Sequence, residues 1–368
     1  MTLTERTNYT KINSLYLDLF LDSANNNILE AVNRNSLDAA NLEFSVESFT
    51  APSIDLNITL TLDNPIYILN TKVANFIVVT SAENLQFKLQ DSPLIIIYSN
   101  AQYGTQVYNN QSLTNNICFL NSSPFICKVH SNKLALLQLY NDELFYLPFL
   151  AIQLWGHSKG CVFKENVLIL SGVETIFLSK LANDEECAVY VLIENDSHFY
   201  ISSLWATSNE ETIKIFIGDK QNILLLEYNS FSAKLWQTIL LFSPVYKILI
   251  PSRASVAITF VGYKDTEGFV LYPSYKSIFA SPYYGSTKNN LGAIQSFDYI
   301  IGNFTAKFTA LSYKTNANIN SLYFSTERGK QEQVKKVGDY LLFKNVTVTV
   351  IYDASLQPEN EAIFLIET

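Results

Sequence analysis

Ile54, Leu56, Ile58, Leu60 and Leu62 alternate with Asp55, Asn57, Thr59 and Thr61. Successive side chains of a strand point to opposite faces. This period of two therefore gives one face to a core and the other to water or a partner. Asp63-Asn64-Pro65 ends the run, because proline cannot donate to a strand ladder. The same texture returns near the far end of the chain. Phe304, Ala306, Phe308 and Ala310 alternate with Thr305, Lys307 and Thr309, and Val346, Val348 and Val350 alternate with Thr347 and Thr349. Stretches rich in Ala, Glu, Lys and Leu, which would favour helix, are nearly absent. The 24 Phe and 22 Tyr suit a pleated, half-buried surface. The pattern predicts an all-β fold of antiparallel β-sandwich or jelly-roll-like modules.

Between these ends the strands read differently. Phe76–Thr80 and Leu94–Tyr98 are short apolar runs, with Leu85, Phe87 and Leu89 alternating between them. Residues 99–117 are rich in Asn, Gln and Ser and read as loop. Val167–Leu170, Thr175–Leu178, Ala188–Ile193, Ile213–Ile217, Ile223–Leu226 and Ile248–Ile250 barely alternate, which predicts burial on both faces. Leu134–Trp155, Cys187–Trp205 and Asn222–Trp236 each join an apolar run to an Asn-led turn and a return segment ending at Trp. Each reads as a β-hairpin. Strand groups beginning near Lys133, Cys187 and Phe231 are spaced roughly like propeller blades of ~40–50 residues. No GH…WD motif accompanies them, so the central block fits either a second sandwich or a propeller-like repeat of hairpins.

The expected organisation is an N-terminal arm over 1–42, with Ser23 and Ser36 as helix caps. A β-sandwich module over 43–131 follows, then a central β domain over 132–292 and a C-terminal β module over 293–368. Residues 43–104 and 293–368 are expected to form similar sandwiches around the central block. The first module carries the segment Cys118–Cys127, CFLNSSPFIC, which reads as a hairpin about Asn121–Pro124. Cys118 would then face Cys127, either as a cross-strand disulfide or as two buried thiols. A bridge closing so short a loop stabilises by at most ~3 kcal/mol. Cys161 and Cys187 show no evident partner.

The charge balance restricts function. The net charge is −9, with only Arg6, Arg34, Arg253 and Arg328 as arginines and no basic cluster. Nucleic-acid binding needs a positive footprint that is missing, so no nucleic-acid partner is expected. The N-terminal stretch is interrupted by Asp18 and Asp22 and does not read as a signal peptide. The longest apolar stretches, near Leu144–Trp155 and Ile239–Ile250, fall short of the ~20 residues of a membrane span.

Chemistry is equally sparse. The histidines are His130, His157 and His198. His157 and Cys161, four apart in a turn, have no second pair to complete a zinc site. Asp184-Glu185-Glu186 lacks the alternating ligands of a calcium loop. No catalytic, cofactor-binding or metal-binding residue is assigned, and no enzyme activity is expected. Tyr272, Tyr275, Tyr283 and Tyr284, set among Pro, Ser and Gly, have the composition of a contact loop. An ordinary loop packed on its own aromatics reads the same way.

The segments IDLNITLTLDNP, FIVVTSAENLQFKLQDSPLIIIYSN and VTVTVIYDA resemble, in texture, structural proteins of virions: phage and archaeal-virus capsid, spike and tail components. That resemblance is compositional and carries over no functional residue. It implies cytoplasmic synthesis, residence in the virion, and assembly with copies of itself and other structural proteins. Exposed loops would contact a host-surface receptor or glycan. The expected function is thus a non-enzymatic structural protein of a multi-copy particle. Two alternatives stand beside it: a carbohydrate-binding or glycoside-active β-propeller, and a scaffold β-propeller in a cellular complex.

Overall fold

The structure is a computed structural model. It describes residues 54–69, 76–82, 93–99, 105–108, 116–119, 125–138, 149–156, 160–162, 166–194, 199–218, 223–241, 243–262, 268–281, 294–314, 322–327, 329, 331–353 and 361–368. The arm expected over 1–42, the alternation at Leu85–Leu89, and Tyr283 and Tyr284 lie outside the described residues.

The first nine strands are β1 (Leu56–Leu60), β2 (Ile66–Leu69), β3 (Phe76–Ser81), β4 (Leu94–Ser99), β5 (Thr105–Tyr108), β6 (Asn116–Phe119), β7 (Phe125–His130), β8 (Lys133–Gln138) and β9 (Leu150–Leu154). They form two facing sheets, β1-β3-β8-β5-β6 and β2-β9-β4-β7. β1 and β3 are parallel, and the other neighbours are antiparallel. Ile58, Leu60, Ile77, Ile97, Leu136 and Ile152 fill the space between the sheets. The alternation at Ile54–Leu62 becomes β1: Ile58 and Leu60 are buried, whereas Asn57 and Thr59 face outward.

The next nine strands are β10 (Val167–Leu170), β11 (Thr175–Leu181), β12 (Cys187–Ile193), β13 (Phe199–Ala206), β14 (Ile213–Ile217), β15 (Leu224–Tyr228), β16 (Trp236–Leu241), β17 (Val245–Ile250) and β18 (Ser255–Gly262). Their orders are β10-β12-β17-β14-β15 and β11-β18-β13-β16. Each strand pairs as the strand nine places earlier does. The parallel pair recurs as β10 with β12.

The last strands are β19 (Phe269–Val270), β20 (Lys276–Ala280), β21 (Ile294–Lys314), β22 (Leu322–Thr326), β23 (Gln331–Glu332), β24 (Tyr340–Asp353) and β25 (Glu361–Glu367). Two of these are long, and each does the work of two. β21 pairs up to Ile301 as a third strand does, parallel to β19 and antiparallel to β24. From Thr305 it pairs as a fourth strand does, with the last strand β25 and the start of β24. β24 serves as seventh strand over Tyr340–Lys344 and as eighth from Val346 onward, where it also meets β22. The changeovers fall at the register break between Ile301 and Thr305 and at Asn345, whose φ is 51°. Asparagine tolerates that left-handed backbone better than most residues. The described residues therefore form three tandem copies of one nine-strand sandwich topology. In the third copy two cross-sheet connections have become bends within continuous strands.

The copies pack in series. The outer face of the sheet containing β2 and β9 meets the outer face of the sheet containing β12 and β17, through Ile68, Ala151, Leu192 and Val245. Gln153 Nε2 donates to Asn166 Oδ1 at 2.8 Å across this buried seam. β16 then pairs in parallel with β20, so the second and third copies share one eleven-stranded sheet. One face of that sheet covers the second core; the other covers an aromatic third core around Phe279, Phe308, Phe324 and Phe364.

Several expectations need correction. The three Trp-terminated segments are not hairpins. β8 and β9 lie in opposite sheets, as do β12 and β13, and β15 and β16. An Asn-led turn can close a hairpin or carry the chain over the core to the facing sheet, and local pattern does not distinguish the two. No propeller blade results. The segment Cys118–Cys127 is likewise not a hairpin, since β6 pairs with β5 and β7 with β4. The loop expected over 99–117 contains β5 and the start of β6. β5 escaped notice because its buried residues include Thr105 and Gln106. Thr105 Oγ1 donates to Ser99 Oγ at 2.8 Å, and Tyr108 Oη donates to Gln106 Oε1. The first module extends past residue 131 through β8 and β9, and the next boundary falls between β18 and β19 rather than at 292.

β16 holds a strained point. Thr238 has φ 48° at a register break against β20. A β-branched residue is unfavourable there, by about 1–2 kcal/mol. Part of that returns as unfolded-state entropy on going to glycine. Thr238→Gly should raise stability by about 0.5–1 kcal/mol, read as a higher urea midpoint at unchanged slope. A lowered midpoint would mean the threonine side chain supports the bulge.

Candidate interaction surface

The residues before and after β11 define it sharply. Gly172, at φ 68°, turns the chain into the strand. Gly262 at the end of β18 lies against that turn so closely that a Cβ would sit 2.5 Å from Val173 Cα. At the other end Ala182 bridges to Cys161, and Val162 N donates to Leu181 O at 3.0 Å. Thr-Ile-Phe-Leu-Ser-Lys-Leu between them has the β-branched and aromatic content of a strand.

β11 is the end strand of the eleven-stranded sheet, and among the described residues no strand lies beyond it along Thr175–Lys180. Its backbone groups divide by parity. Glu174 O accepts from Gly262 N on the β18 side at 3.2 Å, whereas Leu181 O accepts from Val162 on the far side. Even-numbered residues thus bond to β18. The N–H and C=O groups of Thr175, Phe177 and Ser179 point along the sheet, away from it.

The side chains divide too. Leu178 is buried in the second core, and Phe177 is 74% exposed on the opposite face. Register carries that outward face across three strands, as the rows Phe177–Thr259–Ser203 and Ser179–Ala257–Trp205. Ser203 Oγ donates to Thr259 Oγ1 at 2.8 Å. Trp205 is 53% exposed. No outward residue of β11, β18 or β13 is charged. Further along the sheet this same face is covered, where Tyr200 packs edge-on against Phe269 at 5.6 Å between ring centres. The open end is therefore a neutral face carrying two large exposed aromatics beside a strand edge that no described strand covers.

The sequence singled out other residues. Sγ of Cys118 is bonded to Sγ of Cys127, and the bridge ties one sheet of the first sandwich to the other. A bridge also joins Cys161 to Cys187, a pair that sequence reasoning missed. Cys161 is therefore not a nucleophile paired with His157, which lies outside the described residues. Asp184 accepts from Arg253 Nε at 2.7 Å, so the acidic turn holds an ion pair. His130 sits exposed on β7. Tyr272 and Tyr275 lie exposed between β19 and β20, where Thr368 Oγ1 donates to Tyr272 O at 2.6 Å. Burial pushes the Tyr228 hydroxyl above its ordinary range, inside the second core. Among the described residues no group of three His, Cys, Asp or Glu side chains is arranged to hold a metal ion, and no helix is long and apolar enough to cross a membrane.

The surface at β11 was missed outright. The run Thr175–Leu178 is not buried on both faces as its lack of alternation predicts, because Phe177 is exposed. An apolar run looks the same in sequence whether its outer face meets another sheet or nothing.

No family model and no curated protein matches the chain. Among solved structures it is similar to the CUB1-EGF-CUB2 domains of rat MASP-1, at 9% identity and TM-score 0.19, over 55% of this chain and 100% of that one. The human MASP-1/3 counterpart matches at 11% identity and TM-score 0.20, over 54% and 100%. The atomic structure of Sulfolobus Turreted Icosahedral Virus matches at 9% identity and TM-score 0.16, over 79% of this chain and 81% of that one. At these scores the likenesses carry no functional meaning.

Proposed function

We propose that the chain is a non-enzymatic structural protein of a multi-copy particle, of the virion type its strand texture resembles. In this reading it works by docking against other protein subunits, and it resides in the assembled particle after cytoplasmic synthesis. The observation that supports this best is the uncharged outer face of β11, β18 and β13. It carries Phe177 and Trp205 in the open, on a chain whose net charge is −9. Exposed apolar patches of this kind mark interaction sites, and aromatics dominate the energetics of the interfaces they enter. Long, flat, unguarded strand edges are avoided on proteins that stay alone.

Phe177→Ser and Trp205→Ser together test it. Both side chains face away from the core, so the fold should keep its unfolding midpoint within about 0.5 kcal/mol. Association should weaken by at least ~30-fold, as expected when two aromatic anchors worth about 1 kcal/mol or more each are removed. Sedimentation velocity of the two proteins at matched concentrations is the readout. Identical distributions for wild type and double variant would remove this face from any docking role.

A further inference from the structure

We infer that the partner at β11 is a second copy of the chain, joined edge to edge by antiparallel pairing of the two β11 strands about Phe177. This rests on the docking reading above and names its occupant.

The chain supplies its own precedent for a strand added at this position, there in parallel. β20 occupies the same place in the third sandwich that β11 occupies in the second, and β20 already has a strand from outside its own sandwich, β16, laid along its edge. In the second sandwich no strand lies along that edge among the described residues.

Self-pairing is restricted to few registers. Residues opposite each other across a two-fold must lie on the same face, so the centre falls on one residue. A centre at Leu178 would require Leu181, whose carbonyl already accepts from Val162. A centre at Phe177 uses only edge that no described residue bonds. It opposes Thr175 to Ser179 of the other copy, Phe177 to its own counterpart, and Ser179 to Thr175. These are the outward-pointing residues of Thr175–Lys180, and each opposed pair exchanges two backbone hydrogen bonds. The strand contains neither proline nor a bulge to prevent it.

Charge selects the same register. Glu174 and Lys180 lie on one face of the strand, six residues apart, and a centre at Phe177 sets each directly opposite the other's counterpart. The two-fold makes this opposite-charge pair twice. Opposed unlike charges favour a strand pair, and like charges disfavour it. On the other face the two Phe177 rings meet at the axis, flanked by Ser179, Thr259 and Trp205 from each copy, with no charge among them. Two bodies that each carry −9 repel on average, and this neutral edge is where they approach without opposing like charges.

Two variants and one cross-link test this on the full chain. Ser179→Pro removes an outward N–H that β18 does not use, so the sandwich keeps its own ladder. It should weaken self-association about tenfold or more with little change in melting. Glu174→Lys should weaken association, and adding Lys180→Glu should restore it. Phe177→Cys, oxidised with copper(II)-phenanthroline, should form a covalent dimer on a non-reducing gel. Each bridge gives up two protons and two electrons to the oxidant. Phe231→Cys, at a position 64% exposed in the turn after β15 and outside β11, serves as the comparison and should stay monomeric. Wild-type assembly that survives Ser179→Pro, with no excess cross-linking at Phe177, would overturn β11 self-pairing while leaving a docking role intact. A wild-type chain that is monomeric at every concentration would overturn both.

Discussion

Phe308→Ala should cost about 3–5 kcal/mol and unfold the third sandwich first. Phe308 is fully buried at the middle of the long strand β21. Its ring meets Tyr299, Phe324 and Phe343 edge-on, at 5.7, 5.6 and 5.4 Å between centres. Truncation loses the transfer energy of the ring and leaves a cavity walled by other aromatics, which cannot collapse without leaving their rotamers. The position also sits just past the bend, where β21 changes from third-strand to fourth-strand pairing. A loosened ring there would free both halves of the strand. Urea unfolding followed by tryptophan fluorescence should report the first two sandwiches, which hold Trp155, Trp205 and Trp236, separately from far-ultraviolet signal lost in the third, which holds no tryptophan. A loss under 1.5 kcal/mol would mean that the aromatic cluster repacks.

Gly160→Ala should be nearly as damaging, at about 3 kcal/mol or more. Gly160 has φ 76°, and a Cβ there would stand 1.9 Å from Glu186 O. The atoms it would meet, Glu186 O, Glu186 C and Cys187 N, all belong to backbone, so no side chain can give way. The site also anchors the segment that leads into the second sandwich. Asn183 N donates to Gly160 O at 2.8 Å, and the neighbouring Cys161 is bridged to Cys187. Displacing Gly160 would pull on that bridge and on the Cys161–Ala182 pair that closes the far end of β11. Gly156 provides the control. Its φ is 81°, but nothing lies within 4 Å of an added Cβ. Gly156→Ala should therefore show only the left-handed backbone cost, about 1 kcal/mol. Equal losses at both glycines, measured by thermal unfolding, would show that the close approach at Gly160 is relieved.

Period-two alternation placed β1, β21 and β24 well, because those strands really do have one wet face. Burial on both faces was also legible for β12 and β17, which lie between two cores. Connectivity was not. The same apolar run and Asn turn serve a hairpin and a crossing between sheets, so pairing partners could not be read from Leu134–Trp155 or Cys187–Trp205. The threefold repeat was hidden for a related reason. Topology is set by which strands pair, and that survives while side chains, loop lengths and even strand number change, as the fused strands β21 and β24 illustrate. Cys118 and Cys127 were brought together in the reading for the wrong geometric cause. Facing strands of a hairpin and facing sheets of a sandwich both set inward side chains opposite each other. Cys161 and Cys187, separated by 26 residues, gave no local signal. Nothing at Phe177 distinguished an exposed phenylalanine from a buried one.

The most direct test of the assembly reading is light scattering behind a sizing column, over a hundredfold range of concentration, with negative-stain images of each peak. The account predicts a mass that rises to a discrete multiple of 41.6 kDa and closed or regularly extended particles in the images. A compact species of 41.6 kDa at every concentration, with no larger form in the images, would contradict it.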